Sequence, residues 1–184
     1  MGLLALMLLQ HSRWKARLDT EGTIVLLEDQ DREVWDGAMI AEGLALVDKA
    51  VRHKRPGVYQ LQAAIAAVHS RAKVFSDTNW PLIVTLYEAF EALQPSPVVT
   101  LNRAAAVSKV DGPEAALELV EPLAKELGGY FYFHGLRGHL LKRLQRRDEA
   151  REAFDRAIAL ANSAAEAAFI RKELDSLAWP SSHS

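Results

Sequence analysis

The rhythm of apolar positions changes several times along the chain, and each change marks an element. The opening MGLLALMLLQHSRWKARL is almost continuously apolar to Leu9. That run predicts a largely buried helix over about residues 3–15, with no Ser, Thr, Asp or Asn ahead of it to cap its first amides. An uncapped buried helix at this point is what a segment of a longer polypeptide would begin with. The run carries no Lys or Arg before Leu3 and no small-residue cleavage pattern after it. It is therefore not a secretory signal, and it falls well short of the roughly 20 residues that span a bilayer. T-E-G at 20–22 reads as a turn, and the β-branched stretch 23–27 as a short extended piece or hairpin within residues 17–27. Asp31 can then cap a helix that Arg32, Glu33, Val34 and Trp35 open. Trp35, Met39, Leu46 and Ala50 recur at helical intervals in it, and it runs to about His53 before R-P-G ends it.

From Val58 onward the pattern is helix, short break, helix. YQLQAAIAAVHSRAK is one helix. Asp77 or Thr78 caps the next, with Pro81 in its first turn. QPSP breaks the pattern before VVTLNRAAAVSK, and DGP turns into EAALELVEPLAKEL. GG at 128–129 precedes YFYFHGLRGHLLKRL, then DEAREAFDRAIALA and a last helix over about residues 164–177, with the SSHS tail expected to be disordered. Sliding the chain by 34 residues superposes Ala116 on Ala150, Arg103 on Arg137, Glu118 on Glu152 and Ala104 on Gly138. Val107 meets Leu141 and Val120 meets Phe154. A small residue where two helices cross and a bulky one a turn later is the packing logic of a tetratricopeptide (TPR) repeat, with any antiparallel helical hairpin array as the broader reading. The expected fold is all-α. Residues 1–57 form N-terminal helices packed on the array, residues 58–178 form TPR-like hairpins, and residues 179–184 form a tail.

Composition narrows the chemistry. Of 184 residues, 49% are hydrophobic and 25% charged, which is ordinary for a globular domain; net charge is -2 and there is no cysteine. Disulfides, thiolate-bound zinc and iron–sulfur clusters are thereby removed, and the absence of cysteine agrees with a cytoplasmic protein. The charge balance lacks the basic excess of a nucleic-acid-binding domain. The six histidines form no H-E-x-x-H pattern, and the glycines form no phosphate-cradling motif. Together with the absence of a nucleophile elbow, this predicts no enzyme, no metal site and no cofactor. The basic run KRLQRR at 142–147 reads as the C-terminal end of a repeat's first helix, where cations complement the dipole.

Two sets of polar residues are candidates for partner binding. Asp29, Gln30, Asp31, Arg32 and Trp35 cluster at the start of the predicted second helix. The carboxylates there could hold a cation or an Arg-bearing partner, or simply cap the helix. Gln60, Gln62, His69, Asn102 and Arg103 lie in otherwise apolar helices expected to line the concave groove of an array. Interhelical hydrogen bonding that fixes packing explains them equally well.

The order of segments carries a resemblance. LLEDQDR, YQLQAAIAA and PSPVVTLNRA, in that order and followed by the DGPEAAL turn, resemble the C-terminal, TPR-containing extension of a group of bacterial extracytoplasmic-function sigma factors. The resemblance covers about residues 3–177. It implies a regulatory, protein-interacting domain acting in transcription initiation. Its partners would be the sigma regions of the same polypeptide, core RNA polymerase or a protein regulator, without direct contact to nucleic acid or membrane. The regions that recruit polymerase and read promoters are not among these residues. A free-standing TPR adaptor for a peptide or protein is the alternative.

Overall fold

A computed structural model describes residues 1–52 and 57–178. The expected end of the second helix at His53 and the SSHS tail lie outside the described residues. Among the described residues all regular structure is helical. The helices are α1 (Gly2–His11), α2 (Gly37–Arg52), α3 (Val58–Arg71), α4 (Trp80–Leu93), α5 (Pro97–Val110), α6 (Pro113–Val120), α7 (Ala124–Leu127), α8 (Phe131–Arg143), α9 (Arg147–Leu160) and α10 (Ala164–Ala178). No helix among the described residues is long and apolar enough to cross a membrane. The segment 17–27 contains isolated bridge residues, Leu18 and Ile24, rather than a strand pair. A backbone bond from Val25 N–H to the Arg17 carbonyl (2.9 Å) closes it, and Gly22 supplies the left-handed φ of +79° that its turn needs.

The chain forms two compact units, one of Met1–Glu21 and Val25–Val99, the other of Gly22–Ile24 and Thr100–Ser184. In the first unit α1 packs on both α2 and α3. Small residues make that approach close. A Cβ at Gly43 of α2 would stand 2.7 Å from Leu9 Cγ, and one at Gly2 would stand 2.9 Å from the Gln60 amide of α3. Ala5, Leu9, Val47, Ala63, Ala66 and Ala67 fill the core between the three helices. α3, placed by its sequence as the first repeat helix, is thus packed with the N-terminal helices. Leu61, Phe90 and Val99 form a second cluster where α4 meets α3.

Three expectations for this unit change. α1 ends at His11, followed by a 3-10 turn Trp14–Ala16, and only Gly2, Ala5 and Leu9 of the helix are buried. Leu3, Leu4 and Met7 are exposed, so the helix is apolar on two faces and buries one. Asp31 caps only a 3-10 turn, Arg32–Val34, by accepting the Glu33 N–H (2.9 Å). Trp35 is extended, and Asp36 starts α2 by accepting the Met39 N–H (3.0 Å). The cap of α4 is Asn79, which accepts from Leu82 N–H (3.0 Å), while Asp77 closes the 3-10 turn before it and Pro81 sits in the first turn.

The second unit is built of helical hairpins. Gly112, at φ +93°, and Pro113 turn α5 into α6. α8 turns into α9 through Gln145 at φ +60°, with Gln145 N–H to the Lys142 carbonyl (3.0 Å) and Arg146 N–H to the Leu141 carbonyl (3.0 Å). That paired closure is a Schellman motif with a non-glycine residue at its left-handed position. Ala104, Ala116, Ala150 and Phe154 are buried, as the 34-residue correspondence requires of crossing positions. At the α8–α9 crossing a Cβ on Gly138 would stand 2.6 Å from the Phe154 ring. The basic run is absorbed here: Lys142 pairs with Glu173 of α10 (2.8 Å), Arg143 donates to the Ser108 carbonyl (3.2 Å) and Arg146 pairs with Glu149 (2.6 Å). Gly138→Ala is expected to destabilise the protein by about 1–3 kcal/mol, because the buried ring has no room to move. Urea unfolding measures this, and Phe154→Leu in the same chain should recover part of the loss.

Candidate functional site

The polar residues singled out in the sequence separate on folding. Gln60, Gln62 and His69 belong to the first unit, Asn102 and Arg103 to the second. Gln60 packs against Gly2 and Gly57, where a Cβ on Gly57 would stand 2.7 Å from its Oε1, so it serves packing at the start of α3. Gln62 is half-buried on the same helix. On α5, Asn102 is exposed and Arg103 half-buried. Of the acidic motif, Asp29 is exposed and its N–H bonds the Leu26 carbonyl (2.9 Å), and Asp31 is the cap described above. The Asp31 carboxylate caps a turn, and among the described residues no group of His, Cys, Asp or Glu is arranged to hold a metal ion.

Arg32, Trp35 and His69 do come together. Arg32 Nη1 donates to the last carbonyls of α3, those of His69 (2.6 Å) and Ala72 (2.7 Å). A helix leaves its final carbonyls without partners, and a cation there also complements the negative end of the dipole. Trp35, only 7% exposed, underlies the guanidinium, with Arg32 Cζ 4.8 Å from the indole centroid. Arg13, just past α1, brings a second guanidinium to the same indole at 5.7 Å and donates through Nη2 to Gln10 Oε1 (2.6 Å). On the far side of α3's end, His69 meets Trp80 edge-on at 5.3 Å, and Phe75 meets Trp80 at the same distance. Gln30 Nε2 donates to the Val25 carbonyl (3.2 Å) and holds the loop in register.

The electrostatics follow from burial next to like charge. Desolvation, then the Arg17 and Arg32 charges, lower Arg13 to about 10. Desolvation also lowers Arg32, opposed by the Asp77 charge. His69 is pushed down to about 4 by burial, then by Arg13 and Arg32, so it is neutral at ordinary pH. Several buried polar atoms here have no hydrogen-bond partner among the described residues: Arg32 Nε and Nη2, Trp35 Nε1, His69 Nδ1, Gln30 Oε1 and Thr78 Oγ1. Neither Arg13 nor Arg32 forms an ion pair among the described residues. Arg13, Asp77 and Trp80 were invisible as site residues in the sequence. Their nearest signal was a lone Arg and a lone Trp flanking helix ends.

A second feature of this unit is the outward face of α1. Leu4, Met7, Leu8, Trp14 and Met39 line an open cleft of about 500 Å³ whose polar rim is Gln10, His11 and Arg17. Lys15 lies 6.0 Å over the Trp14 ring.

Residues 1–51 match a family of unknown function, DUF6596. A protein of Rhizobium meliloti (strain 1021) described as uncharacterized is 66% identical over 178 residues. The match takes in 97% of this chain and 42% of that relative, so the chain spans less than half the length of the curated relative it matches. No solved structure matches the chain.

His69 generates a pH dependence. Its folded value of about 4 lies below the ordinary 6.5, so between those values the unfolded chain binds more protons than the folded one. Stability therefore falls as pH drops through that window and is unaffected by His69 above it. Wild type should lose up to about 3 kcal/mol more than His69→Gln between about pH 7 and about pH 4, measured by urea unfolding at each pH.

Proposed function

We propose that this chain is a regulatory, protein-interacting domain of an extracytoplasmic-function sigma factor, a TPR-like helical hairpin array acting in bacterial transcription initiation. The observation that carries the interaction part of the reading is the second apolar face of α1. Leu3, Leu4 and Met7 of α1, and Trp14 in the turn that follows it, are each about half exposed, while Ala5 and Leu9 of the helix are buried. A helix that is apolar all round is normally enclosed, and a contiguous exposed patch of this kind marks a contact surface. That the matched sequence is 42% of a longer relative supports a domain that works beside other parts of one polypeptide. The segment-order resemblance names those parts as sigma regions. The 34-residue correspondence and the close Gly138–Phe154 crossing support the TPR-like reading of the hairpins.

In this reading the domain does no chemistry. It holds the sigma portion, polymerase or a protein regulator through apolar contact at α1 and polar contact at Asn102 and Arg103 on α5. The test uses the longer polypeptide with a promoter reporter. Leu4→Gln with Met7→Gln should lower sigma-dependent transcription several-fold while leaving the Tm of the domain nearly unchanged, because both side chains are about half exposed. Asn102→Ala with Arg103→Ala is the matching test of the α5 surface. Full transcription from both double variants overturns the reading. Loss of transcription accompanied by unfolding assigns these residues to packing instead.

A further inference from the structure

The outward face of α1 is recessed as well as apolar, and the charge around it has one sign. Leu4, Met7, Leu8 and His11 stand at i, i+3, i+4 and i+7, one stripe of the helix, while the buried Gly2, Ala5 and Leu9 form another. Trp14, in the turn after the helix, extends the outward stripe. Met39 of α2 lines the same cleft of about 500 Å³. Leu4, Met7 and Trp14 are 49%, 59% and 55% exposed, so the lining is open to an arriving apolar surface. Its two methionines are side chains that re-pack readily around a guest.

Charge is segregated at this end of the unit. Residues 1–18 hold Arg13, Lys15 and Arg17 and no Asp or Glu, within a chain whose net charge is -2. Arg17 lines the cleft and donates through Nη2 to the carbonyl and the Oε1 of Gln10 (2.9 and 3.1 Å), both neutral acceptors. Lys15 is exposed and lies 6.0 Å over the Trp14 ring, on which His11 stacks at 6.2 Å. Among the described residues no acidic side chain lines the cleft. Asp36, at the start of α2, gives its Oδ1 to the Met39 amide.

These features choose among occupants. A second copy on this face would set Lys15 and Arg17 against the same cations, and like charges across an interface are repelled. A small ligand needs a site that encloses most of its surface, and this cleft is open. A flat bilayer meets ridges better than a recess with walls on two helices. A helix fits: the ten residues of α1 rise about 15 Å, the length of about three turns of a helix laid along it. We propose that the cleft receives one amphipathic α-helix of a protein partner. Its apolar residues at i, i+3, i+4 and i+7 sit on Leu4, Met7, Trp14 and Met39, and Glu or Asp side chains along its edge face Lys15 and Arg17. The proposal rests on the reading of α1 as a contact surface and adds the chemistry of the partner to it.

The test is NMR of the full chain, following the Trp14 indole N–H and the Met7 and Met39 methyl resonances. The probes are a helical peptide with Leu at those four positions and Glu along its flanks, the same peptide with Lys for Glu, and phosphatidylcholine vesicles containing phosphatidylglycerol. Saturable shifts with the Glu peptide are expected, with affinity for the Lys peptide weaker by about tenfold or more at low salt. Lys15→Glu with Arg17→Glu should reverse that preference. Lys15→Glu alone should narrow it several-fold, which keeps the test decisive if losing the Arg17–Gln10 bonds unfolds α1. Equal affinity for the two peptides overturns the proposal, as does no shift with either. Shifts with vesicles alone overturn it in favour of a membrane surface. Probe-free shifts that grow with protein concentration, alongside dimer in sedimentation, overturn it in favour of a second copy. If the Glu peptide does not bind while Leu4→Gln with Met7→Gln still lowers transcription, the partner's chemistry is wrong and the contact surface stands.

Discussion

The first unit turns on one guanidinium. Arg32 reaches from a loop to the end of α3 and donates to two carbonyls 37 and 40 residues further along the chain. Those carbonyls have no partners inside the helix, so the side chain satisfies groups that burial would otherwise leave costly. Arg32 also lies over Trp35, which is buried beneath it, and Arg13 approaches the same ring. The loop between α1 and α2, the start of α2 and the end of α3 are therefore tied at one point. A second tie, from Asp36 N–H to the Ser12 carbonyl (2.9 Å), anchors α2 to the end of α1.

This tie explains why LLEDQDR is so polar in an otherwise apolar neighbourhood. Its acids and its arginine do different work. Asp31 fixes one 3-10 turn, and that turn aims Arg32 at α3. Burial, and after it the Arg13 and Arg32 charges, lowers His69, which supplies a carbonyl to Arg32 and an edge to Trp80 while its ring stays neutral. The cationic centre around Arg32 and Trp35 is one feature of this unit, and the outward apolar face of α1 is another. The two lie in one unit and draw on different parts of its sequence.

Much of the helical outline was legible because local punctuation is strong. Pro113 after Gly112, GG at 128–129 and the QPSP break each sit within a few residues of a helix end. The small residues at Ala104, Ala116, Gly138 and Ala150 announced close crossings, and the Gly138–Phe154 approach bears that out at atomic level. What periodicity could not settle was which of two competent groups wins. Asp31 and Asp36 can both cap, and so can Asp77 and Asn79; tertiary placement chose the later one each time. α1 was read as mostly buried because its composition is uniform, and composition does not say how many neighbours arrive. Arg32, Trp35 and His69 were visible as polar or aromatic residues out of pattern. Their union with Arg13 and Trp80 was not, because it depends on contacts between distant segments that no local spacing encodes.

The most direct test of this picture is equilibrium urea unfolding of Arg32→Met, which keeps most of the side chain's apolar volume and removes the donors. If Arg32 ties the loop to α3, the variant loses about 2–3 kcal/mol with an unchanged denaturant slope. A loss below about 0.5 kcal/mol, the range of an ordinary surface substitution, would contradict it.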